Sequence, residues 1–136
     1  MLISVVIPAF NEEGYLGETL ARLNRAKAFL RDEESLPAEI IVVDNDSDDS
    51  TADVARALSA TVVRETQHNV AKVRNTGAKL SNGDVLVLVD ADTVVPDELL
   101  SRIVEANGYA YAAFDFDRTG RFQGARLLRL SNATRR

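Results

Sequence analysis

Gly83-Asp84-Val85-Leu86-Val87-Leu88-Val89-Asp90-Ala91-Asp92 is the stretch on which the fold turns. The unbroken apolar run from Val85 to Val89 predicts a strand buried on both faces, as in the middle of a parallel sheet. It stops at two aspartates separated by one small residue, with Thr93 next and Pro96 soon after. Ionised carboxylates are costly inside a core, so Asp90 and Asp92 are expected just past the carboxyl end of the strand. That rim is where open α/β sheets bind ligands. Two carboxylates one residue apart offer hard oxygen ligands to Mg²⁺ or Mn²⁺ carrying a phosphate. Capping of the helix that Pro96 announces is the competing role, and the pair alone does not choose between them.

The same pattern of strand followed by polar loop recurs upstream. Leu2-Ile3-Ser4-Val5-Val6-Ile7 is a β-rich run stopped by Pro8, and the polar loop Ala9 to Gly14 then opens a helix. Leu16, Leu20, Leu23 and Leu30 give that helix an apolar stripe, and Arg31 to Pro37 reads as a charged surface loop. Glu39 to Val43 is a second buried strand, ending in Asp44-Asn45-Asp46-Ser47-Asp48-Asp49-Ser50-Thr51. Asp46, Asp48 and Asp49 lack the glycine and distal glutamate of a calcium loop, so solvation and capping fit them better. Ser50 or Asp49 would cap a short helix whose inner face is Val54, Ala55 and Leu58.

Thr61 to Arg64 is a third, shorter strand. Asn69 to Leu80 reads as a helix closed by Ser81-Asn82-Gly83, a left-handed stop. Pro96-Asp97-Glu98 starts another helix, with Leu99, Leu100, Ile103 and Val104 buried and Asn107-Gly108 as its end. Tyr109 to Phe116 reads as one more strand and Arg121 to Thr134 as a helix. This order predicts one α/β domain with a mainly parallel central sheet and helices on both faces. If the first, second and fourth strands are neighbours, the loops at 8–13, 44–51 and 90–93 line a single crevice.

Composition limits the chemistry. The 136 residues suit one domain, and 46% hydrophobic with 27% charged residues is ordinary for a soluble globular protein. The absence of cysteine excludes disulfides and thiolate metal sites, and one histidine leaves little room for imidazole zinc chemistry. A net charge of −5 argues against nucleic acid as a partner. No apolar run approaches the roughly eighteen residues of a membrane span, and no leader is visible, so a cytoplasmic location is expected. The six arginines and absent acids from Arg118 to Arg136 suit peripheral contact with anionic lipid at the cytoplasmic face, or a solvated helix. Leu127, Leu128 and Leu130 there also suit a homodimer contact. His68, alone in a loop, reads as a plain surface residue.

The crevice has the residues for a nucleoside diphosphate. Ala9-Phe10-Asn11 suits a flat heterocycle, and Asp44 and Asn45 suit a base edge or ribose hydroxyls. Arg74 or Lys79 suits the diphosphate, and Asp90 or Asp92 the bridging cation. No Gly-x-Gly-x-x-Gly or Gly-Lys-Ser/Thr is present, so dinucleotide and P-loop readings lack their glycines.

Four of these segments, in this order, resemble family 2 glycosyltransferases. Val5 to Glu13 resembles the family's opening strand and loop. Val42 to Thr51 is similar to its Val-Asp-Asp-Gly-Ser loop, Ala71 to Ala78 to its Ala-Arg-Asn-x-Gly helix, and Leu88 to Asp92 with Pro96 to its Asp-x-Asp segment. The resemblance covers residues 3 to about 100 and implies a three-layer GT-A, Rossmann-like fold. It implies that Pro8, Ala9, Phe10, Asn11, Glu12, Asp44, Asn45, Arg74, Asp90 and Ala91 bind a UDP- or GDP-sugar, with Asp92 holding Mn²⁺ or Mg²⁺. Asn45 stands where the family often has a second acid, and Asn69 where it has glycine, a turn that asparagine tolerates in the left-handed region.

Transfer to an acceptor hydroxyl, with inversion, is the activity implied, and a sugar-binding module without transfer is the rival reading. The family's general base lies well downstream. Asp115 and Asp117 are the only carboxylates after Glu105, with solvent-facing strand acids as the plainer role. With 44 residues following Asp92, the acceptor half is expected to be absent. A sugar nucleotidyltransferase is disfavoured by the lack of a glycine-rich first loop.

Overall fold

The computed structural model describes residues 1–105 and the paired strands 109–116 and 122–129. The elements run β1 (Ile3–Ala9), α1 (Leu16–Glu34), β2 (Ala38–Asp44), α2 (Thr51–Ala57), β3 (Thr61–Arg64), α3 (Val70–Leu80), β4 (Val85–Leu88), α4 (Leu99–Glu105), β5 (Tyr109–Phe116) and β6 (Phe122–Arg129). β1 to β4 form a parallel sheet in the order β3-β2-β1-β4. Val5 faces Ile40 on one side and Val87 on the other. Each parallel neighbour requires a crossover, and α1, α2 and α3 supply them.

Alternation along β1 divides the core between two faces. Ile3, Val5 and Ile7 pack with the α1 stripe Leu16, Leu20, Leu23 and Leu30, with Ala55 of α2 and with Leu99 and Leu100 of α4. Val6 points the other way and packs with Ile41, Val43 and Val73 of α3. Helices therefore cover both faces of a parallel sheet, as the sequence pattern requires. No helix among the described residues is long and apolar enough to cross a membrane.

Several local expectations need correction. β1, not the Val85–Val89 strand, is the central one, and β4 lies at the edge of the four-stranded sheet with Leu86 exposed. α3 sits over β1 and β2 and leaves Leu86 exposed, while Leu88 on the same face of β4 packs with the Val6 cluster. The helix expected over 121–134 is instead strand β6, paired antiparallel with β5 in a second, two-stranded sheet. Gly124 at its middle disfavours helix, and its apolar residues keep no clean helical period. Asp115 stands opposite Gly124 in that ladder. Asp117, Leu130 and the arginines at 118, 121, 135 and 136 lie outside the described residues, as does the Asn107-Gly108 helix stop. α1 runs a turn further than expected, through Arg31 to Glu34, of which Arg31, Glu33 and Glu34 are good helix formers, to a left-handed Ser35 (φ 55°).

Two glycines are required by close approach. A Cβ on Gly77 would lie 2.3 Å from Val6 and 2.9 Å from Val43, so α3 rests backbone-first on the sheet. A Cβ on Gly83 would meet the Ser4 hydroxyl at 2.4 Å and the Leu2 carbonyl at 2.9 Å. Gly83 thus serves contact with β1, not the left-handed stop, since the α3 cap residue Ser81 is extended. The buried Ser4 hydroxyl accepts from the Gly83 N–H (2.8 Å) and donates to the Glu39 carboxylate (2.5 Å). That carboxylate also accepts the Asn82 N–H at 2.7 Å. Burial would raise the Glu39 carboxyl, but the hydrogen bonds from Asn82 and Ser4, with Lys27 nearby, hold it below its ordinary value.

Gly77→Ala is expected to destabilise the protein by about 1–2 kcal/mol in urea titration. The overlap cost exceeds the helix-propensity gain of about 1 kcal/mol. The lowered Glu39 carboxyl stabilises the fold at pH values above its ordinary 4.5, and that contribution is lost as pH falls through the lower folded value. Chemical denaturation at pH 7, 5 and 3 should therefore show a steeper acid loss for wild type than for Glu39→Gln.

Candidate functional site

Because β1 is flanked by β2 and β4, the three strands release their polar loops side by side at their carboxyl ends. The loops meet α3 around an open pocket of about 240 Å³. Its walls are Pro8, Ala9, Phe10 and Glu12 after β1, Asn45 after β2, Val70, Val73 and Arg74 on α3, and Asp90, Ala91 and Asp92 after β4. Nine of these were expected from sequence. Val70 and Val73 were not, although Val70 lies one helical turn before Arg74 on the same face, which is the available signal. Lys79 does not line the pocket.

Asn11 and Asp44 brace the loops and are not part of the pocket wall. Asn11 takes a left-handed backbone (φ 50°), donates its N–H to the Ser47 hydroxyl (3.0 Å) and accepts the Asp48 N–H on Oδ1 (2.9 Å). The buried Asp44 accepts the Ser47 N–H at 3.2 Å. The Glu12 N–H donates to the Thr51 hydroxyl (3.0 Å), and the Glu13 carboxylate accepts the Ser50 N–H (2.9 Å). Asp49 accepts the Thr51 N–H at 2.9 Å at the start of α2, while Asp46 pairs with Arg64. These acids are spent on capping and pairing. Asn45, also buried, donates both Nδ2 hydrogens to the carbonyls of Glu65 (2.8 Å) and Gln67 (2.9 Å).

Asn69 differs from the expectation in an instructive way. Its backbone is extended (φ −140°), and its Oδ1 accepts the Lys72 N–H at 3.1 Å. It stands there as an N-cap for α3 and makes no use of a left-handed turn. The cap fixes the start of the helix that carries Arg74.

After β4 the chain alternates. Ala91 is buried, and its carbonyl accepts the buried Thr19 hydroxyl of α1 at 2.7 Å. Asp90 and Asp92 on either side are exposed, in a turn closed by the Thr93 N–H on the Asp90 carbonyl (3.2 Å). Thr19 is a contributor that the sequence reading passed over; its only mark is a hydroxyl set inside a leucine stripe. Arg74 reaches to 3.8 Å from Asp90.

Three carboxylates and the Arg74 guanidinium line the pocket. Burial, then the charges of Asp92, Asp49 and Asp90, push the Glu12 carboxyl above its ordinary value. Such mutual repulsion is what a cation relieves. Among the described residues no three acidic or imidazole groups converge on one point, so a closed metal cage is absent. Asp92 with Glu12 nearby instead suits a hard ion that completes its shell with water and phosphate oxygens. At the mouth, the exposed Phe10 ring meets His68 edge to face, with centroids 4.9 Å apart and planes at 75°.

The chain is similar to known proteins in sequence and in fold. Residues 4–134 match the profile of glycosyl transferase family 2. The chain is 36% identical over 111 residues to a dolichol-phosphate mannosyltransferase of Pyrococcus furiosus, covering 78% of this chain and 30% of that protein. It is also 36% identical over 120 residues to the undecaprenyl-phosphate 4-deoxy-4-formamido-L-arabinose transferase of Pseudomonas aeruginosa, covering 79% and 33%. Among solved structures, the mannosyltransferase PcManGT of Pyrobaculum calidifontis in complex with GDP-Man and Mn²⁺ superposes with a TM-score of 0.66 at 28% identity, covering 76% of this chain and 31% of that one. TarS of S. aureus in complex with UDP-GlcNAc superposes at 0.63 and 28%, covering 77% and 30%. The chain thus spans about a third of the length of the curated relatives it matches. The profile match and the shared α/β fold together establish that this chain belongs to glycosyltransferase family 2.

Proposed function

We propose that this chain forms the donor site of a glycosyltransferase and binds a nucleoside diphosphate sugar together with a divalent cation, Mn²⁺ or Mg²⁺. The observation that carries this reading is the convergence of three strand-end loops on one pocket, with Glu12, Asp90 and Asp92 around it and Arg74 facing Asp90. In this reading the base lies against Phe10, Asp90 takes the ribose hydroxyls and Arg74 donates to the diphosphate. Asp92 holds the cation, beside Glu12. The complexes of PcManGT with GDP-Man and Mn²⁺ and of TarS with UDP-GlcNAc support it by likeness.

The reaction we infer is transfer of the sugar to an acceptor hydroxyl, with inversion at the anomeric carbon. Arg74 stabilises charge that builds on the departing diphosphate, since its guanidinium stands at the pocket wall. A bound divalent cation supplies further neutralisation of the same leaving group. Deprotonating the acceptor needs a carboxylate in reach of its hydroxyl.

Calorimetric titration with UDP and GDP, with and without Mn²⁺, tests the donor site. Wild type should bind at least one of them in a Mn²⁺-dependent manner, and Asp92→Asn should weaken that binding by about tenfold or more. Folded protein that binds neither nucleotide in the presence of Mn²⁺ would defeat the reading. The raised Glu12 carboxyl gives a second check. Its ionised form is penalised in the fold, so the penalty appears as pH rises through the ordinary 4.5 and is complete above the folded value. Without metal, Glu12→Gln should melt at a higher temperature than wild type at pH 7, with the difference vanishing near pH 4.

A further inference from the structure

Phe10 and His68 are separated by most of two βα units, yet their rings touch at the mouth of the pocket. Phe10 is a large apolar side chain left 46% exposed. A phenylalanine standing free in solvent hops between rotamers on a fast timescale and presents no fixed face. The edge-to-face contact with His68 is the one aromatic contact Phe10 makes among the described residues, and it favours one ring orientation.

His68 is itself held in place by the loop on which it stands. The buried Asn45 amide donates to the carbonyls of Glu65 and Gln67, just before His68. The Gln67 N–H donates to the Glu65 carboxylate at 3.2 Å, and the Asn69 N–H to the Gln67 carbonyl at 2.9 Å. Asn69 then caps α3 through the Lys72 N–H. Residue 68 is thus bracketed by anchored neighbours on both sides. A chain of contacts runs from the amide of Asn45 through this loop to His68 and on to the ring of Phe10.

We propose that His68 is a positioning residue for the nucleobase: it holds the Phe10 ring so that its open face stacks on the base, and so sets how much of the affinity comes from the base beyond the diphosphate. This rests on the reading of the pocket as a nucleoside diphosphate site. Asn45 then contributes to base recognition through the loop it pins, in addition to the part of the pocket wall it forms. The ligand class is a planar heterocycle joined to a diphosphate.

The test compares UDP and GDP with inorganic pyrophosphate, each titrated with Mn²⁺ into wild type, His68→Ala, His68→Phe, Phe10→Ala and the double variant Phe10→Ala with His68→Ala. Removing the imidazole should weaken the nucleotide that wild type prefers by about three- to tenfold, while pyrophosphate affinity stays within about twofold. His68→Phe, which restores an aromatic edge, should recover nucleotide affinity, and His68→Ala should add little once Phe10 is already alanine. Melting temperatures of the His68 variants should match wild type, because the side chain is exposed. The proposal is overturned if His68→Ala leaves nucleotide affinity unchanged or weakens nucleotide and pyrophosphate alike. It is also overturned, with the diphosphate site intact, if wild type binds nucleotides no more tightly than pyrophosphate. Wild type that binds none of the three would remove the donor-site reading itself.

Discussion

At Gly77 the backbone of α3 comes so close to Val6 and Val43 that a methyl group would overlap both. That contact sets the height of the helix above the sheet. It brings Val73 into the core of the lower face, with Val6, Ile41 and Val43. It also holds Arg74, one residue further, at the rim where β1 and β4 end. A side chain at position 77 would push the helix, and Arg74 with it, away from the sheet, because its Cβ would lie 2.3 Å from Val6. The electrostatics of the pocket therefore depend on a purely steric fact some distance below it.

The second constraint is charge. Like-charged carboxylates avoid one another unless something holds them together, and here the backbone holds the half-buried Glu12 near the exposed Asp90 and Asp92. Ala91 is tied to Thr19 of α1, which leaves Asp90 and Asp92 no freedom to withdraw into the core. Glu12 is fixed by a loop whose N–H groups are taken by Thr51 and Asp49. Asp90 and Asp92 are thus held at the rim beside Glu12, with Arg74 opposite Asp90.

How much of this was written in the sequence differs from residue to residue. The strands β1, β2 and β4 were legible because parallel strands under helices are spelled as continuous apolar runs. The aspartates at 90 and 92 were legible because desolvation cost expels them from such a run. Strand order was not legible: the hydrogen-bonded neighbours of a strand leave no mark on its own side chains, so the valine-rich β4 read as central while β1 holds that place. β6 was missed because Phe122, Ala125, Leu127 and Leu128 satisfy neither period, and its partner lies in β5. Asn69 was misassigned because one residue type serves both left-handed turns and N-caps, and only the Lys72 N–H decides between them. His68 was unreadable for a simpler reason, that its significance lies wholly in a residue far away in the chain.

β1 precedes both of its partners in the chain, and this has a bearing on how the protein is made. Ser4 bonds to Glu39, 35 residues on, and the Leu2 N–H to Asp84, 82 residues on. During synthesis Val5, Val6 and Ile7 therefore emerge with neither edge paired. The leucines of α1 follow directly and can shelter one face, but the other must wait for Val73. Pairings this distant in sequence are slow to form, because the loops they close are long. The rim where Asp90 and Asp92 stand is complete only once β4 pairs with β1, so it belongs to the finished sheet.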